Sequence, residues 1–281
     1  MAIRDILVHL DATPASTARL DLAAGLAQRL SAHLVGLYVL DVPLPVFAGG
    51  DVGGGAVTAE LITAMREDSL ASAARVAPLF REKLRREGIG GEWREAEGTT
   101  AAQVALHGRY VDLVVVGQAN PDGSNPGAAA AVEAALFTSG RPVLVVPSIW
   151  AGGSVGRRAL VGWNGSREAA RAVNDALPLL KDAENVTVLT INAQATPDGH
   201  GEEPGADIAL HLARHDLQVT VRRIAGAEIS AGDMLLNEVA DLGADLIVMG
   251  GYGHSRLREL VLGGATRTLL GQMTVPVVMS H

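Results

Sequence analysis

A chain of 281 residues, 48% of them hydrophobic, has material for about two packed domains. Its net charge of −8 argues against a sequence-independent nucleic-acid binder, and the absence of cysteine excludes a disulfide framework and thiolate chemistry. No apolar run approaches the ~20 residues of a membrane helix, and Asp5 comes too early for a signal peptide. A soluble, cytoplasmic protein without membrane or nucleic-acid partners is the expectation.

Strand and helix periods alternate along the chain. The first half reads as strands near 3–10, 33–40, 91–96, 111–116 and 142–146, with helices near 15–30, 58–87, 100–109 and 128–138. Leu20, Ala23, Ala27 and Leu30 share one helical face, as do Ile62, Met65, Ala73, Val76, Phe80 and Leu84. Aromatic residues make up only 3% of the chain, so the cores must rest on Ala, Val and Leu. The seam, 148–156, is Gly-rich and reads as a flexible linker. Beyond it, strands are expected near 158–163, 186–191, 219–224, 245–249 and 276–280. Apolar strands without clean alternation predict burial on both faces. Their alternation with helices predicts a doubly wound parallel sheet. Two Gly/Pro-rich loops, 41–57 and 194–205, each follow a second strand and read as linkers or as lids.

The halves repeat one another. Asp112-Leu113-Val114-Val115-Val116-Gly117 matches Asp245-Leu246-Ile247-Val248-Met249-Gly250, and Pro142-Val143-Leu144-Val145 matches Pro276-Val277-Val278-Met279. After Gly250 the second half carries Gly253 and, past a longer stretch, the pair Gly263-Gly264, where a new helical run opens. Glycine lets backbone N–H groups approach a ligand, and a helix start adds orphan donors and a positive dipole end. That combination suits an anion such as phosphate. Arg256 and Arg258 make the segment locally basic.

This arrangement resembles the nucleotide loop of the universal stress protein family, G-x2-G-x9-G-(S/T). Gly250, Gly253 and Gly263 fit it, and Gly264 stands where the family's ATP binders have Ser or Thr. Leu160-Val161-Gly162-Trp163-Asn164 resembles the family's first strand and turn, with Asn164 in place of the usual Asp. The resemblance implies two flavodoxin-like α/β domains, 1–149 and 155–281. Each would be a five-stranded parallel sheet of order 3-2-1-4-5 with helices on both faces. It further implies an ATP-like adenine nucleotide bound by the second domain, with Asn164, Ile191, Met249, Gly250, Gly253, Gly263, Gly264 and Ala265 around it. A regulatory stress-response protein follows; the alternatives are a slow ATP-hydrolysing enzyme and an interaction protein with empty pockets. In the family the last strand pairs with its equivalent in another domain. The tandem chain is therefore expected to pair its two last strands internally, with a homodimer of the whole chain as a further expectation.

Other motifs carry less. Gly152-Gly153-Ser154-Val155-Gly156 fits G-x-S-x-G but precedes a strand, whereas a nucleophile elbow follows one. Neither Lys83 nor Lys181 follows a Gly-rich loop, which removes a Walker P-loop. His211 and His215 are spaced to chelate a metal on a helix, but a solvated face explains them too, and no metal is assigned. The first half keeps an acidic Asp11 but replaces the glycine loop after Gly117 with Gln118-Ala119-Asn120-Pro121, so it is expected not to bind ATP.

Overall fold

The computed structural model describes residues 2–42, 55–119, 126–193, 203–226, 228–251 and 264–281. The first half runs β1 (Asp5–Leu10), α1 (Ala15–Leu30), β2 (His33–Leu40), α2 (Gly55–Glu87), β3 (Gly91–Glu97), α3 (Thr100–Gly108), β4 (Leu113–Gly117), α4 (Pro126–Thr138) and β5 (Val143–Val146). The second runs β6 (Arg158–Gly162), α5 (Arg167–Leu180), β7 (Asn185–Ile191), α6 (Ala206–Ala213), β8 (Val219–Ile224), α7 (Ala231–Leu242), β9 (Leu246–Gly250), α8 (Gly264–Gln272) and β10 (Val277–Ser280).

These strands form one sheet, ordered β3-β2-β1-β4-β5-β10-β9-β6-β7-β8. Pairing is parallel within each half, so each has the order 3-2-1-4-5 expected from the sequence. The halves join where β5 and β10 run antiparallel, Val145 beside Val277, Leu144 beside Val278 and Val143 beside Met279. A local twofold relation passes through the Leu144–Val278 pair. The expected internal pairing of the last strands is present, and it covers two apolar edges that would otherwise invite aggregation.

Side chains alternate between two core layers. Ile6, Val8, Leu113 and Val115 meet α1, α2, α5 and α6 on one face. Leu7, Val114, Val116 and Ile247 meet α3, α4, α7 and α8 on the other. Phe80, one of few aromatics, is fully buried, and a Cβ on Gly36 would come within 2.7 Å of its ring.

Three departures from the sequence reading have a local reason. β1 and β4 start later than expected because the Asp112 carboxylate accepts from Arg4 N (2.8 Å) and Asp5 N (3.1 Å), fixing both strand starts. α4 starts at Pro126 rather than near 128; a proline suits the first helical turn, where its missing N–H has no partner to lose. The seam is not a free linker along its whole length. Asp245 holds its end, accepting from Ser154 Oγ (2.7 Å), Gly156 N (2.9 Å), Arg157 N (3.2 Å) and Arg158 N (3.1 Å). Asp112 and Asp245 thus do equivalent work in the two halves. Most of the two Gly/Pro-rich rim loops lies outside the described residues.

Candidate functional site

In the second half the chain leaves β6 outward to β7 and β8, then returns to β9 on the other side. The crevice at the carboxyl ends of β6 and β9 is the switch point, where open α/β sheets take ligands. Gly162, the last residue of β6, pairs with Met249 on one side and Leu189 on the other. Asn164, Ile191, Met249 and Gly250 therefore gather at one end of three adjacent strands. Gly253 and Gly263 lie outside the described residues.

Each described residue has a local reason for its place. Asn164 Oδ1 accepts from Ser166 N (3.1 Å), a turn that delivers the chain to α5. Ser166 then caps α5, its Oγ accepting from Ala169 N (3.1 Å). Asn164 is exposed at this turn. Gly250 is small because α5 lies on it: a Cβ would come 2.5 Å from Ala169 N and 2.7 Å from Glu168 C. Met249 belongs to the core, 8% exposed, and Ile191 packs on that core's margin. Gly264 is exposed at the start of α8, and no atom of the described residues lies within 4 Å of where a Cβ would stand. Ala265 is half-buried, and its carbonyl lies 2.8 Å from where a Cβ on Gly232 would be, which seats α7 against α8.

One charge at the site was not anticipated. Glu168 is 5% exposed in the first turn of α5, beside Gly250, and pairs with Arg167 Nε at 2.5 Å. Burial alone would raise its pKa, but the Arg167 guanidinium and backbone donors outweigh that and lower it. Glu168 is thus an anion beside the crevice, compensated by an exposed arginine and a helix N-terminus.

At the corresponding strand ends of the first half stands a buried arginine. Arg19, on α1, is 3% exposed. Its Nε donates to His9 O (2.7 Å), its Nη2 to Asp11 Oδ2 (2.7 Å), and its Nη1 lies against Gly117, where any Cβ would collide with it. Asp11 also accepts from Thr13 N (2.8 Å) and from the Thr13 hydroxyl. Burial opposes its ionisation, yet Arg19 and the Thr13 donors hold its pKa below the usual value. His9 is pushed down to about 4, by burial first and by Arg19 second. Asp41, at the end of β2, is committed to Thr100 N (2.7 Å) and Thr100 Oγ1 (2.8 Å). Sequence reasoning passed over Arg19. The available signal was a charged residue one turn before Ala23, on the apolar face of α1.

The remaining candidates stay apart from this crevice. Ser154 Oγ is bound to Asp245 and precedes β6, so the G-x-S-x-G segment has no elbow geometry. His211 on α6 and His215 in the turn after it pack edge to face, ring centroids 4.9 Å apart. Among the described residues, no group of three His, Cys, Asp or Glu side chains is placed to hold a metal, and no helix is long and apolar enough to cross a membrane.

Residues 156–281 match the profile of the Universal stress protein family. No curated protein sequence matches the chain significantly. A universal stress protein from Archaeoglobus fulgidus superposes with a TM-score of 0.72 at 19% identity, covering 98% of this chain and 94% of that one. A protein of unknown function from Pseudomonas aeruginosa gives 0.57 at 16%, covering 99% and 92%. At these identities the likeness establishes a shared fold over the whole chain, both halves included. A universal stress protein solved in complex with cAMP matches 53% of this chain and 99% of its own, at 18% identity and a TM-score of 0.33, which is too distant to bear on the ligand here.

Proposed function

We propose that the universal stress protein family domain at residues 156–281 binds an adenine nucleotide, ATP-like, at the β6–β9 switch point, and that the protein acts as a regulatory binder. The observation that carries this reading is the gathering of Asn164, Ile191, Met249 and Gly250 at one end of three neighbouring strands, with Gly264 opening α8. Helix-start N–H groups favour phosphate, the Asn164 amide offers polar contacts to ribose or adenine, and Ile191 and Met249 offer an apolar wall. Gly253 and Gly263 complete the loop in this reading, with Ala265 at its far end. Arg19 supports a single site per chain, because its guanidinium already engages the carboxylate of Asp11, the first-half counterpart of Asn164. Two features work against tight binding. Gly264 lacks the hydroxyl of the family pattern, and a hydrogen bond to a charged group contributes roughly 1.5–3 kcal/mol. Glu168 adds a negative charge beside the crevice.

Calorimetric titration of ATP into the whole protein tests this, with phosphate release followed in parallel. The expected outcome is one saturable site per chain, retained when Asp11 is replaced by Ala and weakened when Asn164 is. Absence of binding at millimolar ATP would refute the reading.

A further inference from the structure

We propose that the groove between α1 and α2, in the first half of the chain, binds a small aliphatic monocarboxylate. The site is separate from the β6–β9 switch point and does not depend on the nucleotide reading. Both helices lie on the same face of the sheet. Toward their C-terminal ends they are pinned together. Lys83 of α2 pairs with Asp21 of α1 (2.6 Å) and with Glu87 (2.5 Å), and Gln28 Nε2 donates to Glu87 O (3.4 Å). Toward the first turn of α1 an open groove of about 420 Å³ lies between them. Small-molecule sites occupy roughly 300–1,000 Å³.

The groove has an aliphatic floor. Leu20 is 5% exposed, Val76 packs on the same core, and Leu79 stands 58% exposed at the rim. Among the described residues, no aromatic ring lines it, so its walls suit an alkyl body rather than a stacked ring. A ligand lying over Leu79 would remove that side chain from water, which favours binding.

The charges around this floor do not balance. Each carboxylate on the lining has its own cation: Asp11 has Arg19 (2.7 Å), Asp21 has Lys83, and Glu82 has Arg85 (2.6 Å). Arg75 is the cation left over. Its Nη2 donates to Ser72 Oγ (2.8 Å), and among the described residues no carboxylate pairs with it. Arg86 reaches only Glu87, at 3.8 Å, and Lys83 already holds that carboxylate. Ser72 is 6% exposed, so the Arg75 guanidinium is fixed from the protein side. A guanidinium carries five N–H donors in a planar fork that matches a carboxylate, and Ser72 uses one. A carboxylate on Arg75 with an alkyl tail over Leu20, Val76 and Leu79 satisfies both the charge and the apolar floor.

Octanoate is the probe and octanol its uncharged counterpart. Each is titrated into the full chain while the methyl resonances of Leu20, Val76 and Leu79 are followed by NMR. Octanoate should shift them saturably with a Kd of about 1 mM or tighter, and octanol should shift them far less at equal concentration. Arg75→Gln, at an exposed position, should weaken octanoate about tenfold, toward the level of octanol, and leave octanol unchanged. Thr17→Trp, at an exposed position on the groove wall, should fill the groove and abolish both responses. Unchanged urea midpoints would show both variants folded, and Arg75→Gln with the two probes decides alone if the tryptophan variant does not fold. No methyl shift up to about 10 mM octanoate would overturn the site. Equal responses to octanoate and octanol in the wild type, or an unchanged octanoate affinity in Arg75→Gln, would overturn the recognition of a carboxylate and the proposal with it.

Discussion

Acidification between pH 7.5 and 4.5 should destabilise the first half through His9. The imidazole is 8% exposed at the end of β1. Burial and then Arg19 depress its pKa to about 4, while Asp11 and Asp41 oppose the shift. In the unfolded chain it titrates near 6.5. Between those values the unfolded state holds a proton that the folded state does not, so stability is full above about pH 6.5 and falls as pH falls toward 4. The single-site linkage relation gives a loss of about 1.4 kcal/mol at pH 5.5 and about 2.5 kcal/mol at pH 4.5. His107, half-buried and facing Arg94, shifts in the same direction, and Asp11 adds a further loss only as pH falls through and below its ordinary carboxylate range because its pKa is lowered. The whole-protein slope therefore mixes several groups, and His9→Gln isolates one. Urea unfolding of wild type and variant at pH 7.5 and 4.5 gives two stability differences. The wild-type advantage should shrink by about 2.5 kcal/mol at the lower pH. An equal advantage at both pH values would refute the assignment of a buried neutral imidazole.

Three substitutions test the packing and the site. Gly250→Ala should cost about 1–3 kcal/mol of stability, because its Cβ meets the α5 backbone rather than a side-chain tip; an unchanged melting temperature would place α5 farther from β9. Gly264→Ser enters open space, so stability should hold while ATP affinity rises about tenfold or more in calorimetry. Asp245→Ala strips partners from the amides of Gly156, Arg157 and Arg158 and should lower the urea midpoint by an amount equivalent to about 1–3 kcal/mol.

Most of the fold was legible because its signals are local. The runs Leu113-Val114-Val115-Val116 and Leu246-Ile247-Val248-Met249 are apolar on both faces, and the structure buries them on both. Pro142 and Pro276 mark equivalent strand starts, and the repeat they belong to made the strand order inferable by family resemblance. The site was legible only in part. Gly250 was singled out as a ligand-facing glycine, yet α5 alone requires it, whether or not anything binds. Asn164 was singled out for its side chain, and that side chain also builds the turn into α5.

The sequence by itself determined the alternation of strands and helices, since that depends on neighbours a few residues apart. Tertiary structure decided what depends on distance along the chain. Arg19 reads as one more polar residue on a helix until β4 brings Gly117 onto its guanidinium. Gln118 reads as a loop residue until the β5–β10 pairing carries α8 to its amide. A charge or an amide declares its role only through the partner that folding delivers, because its energy is set by burial and by the group it meets, and neither is written in the residues beside it.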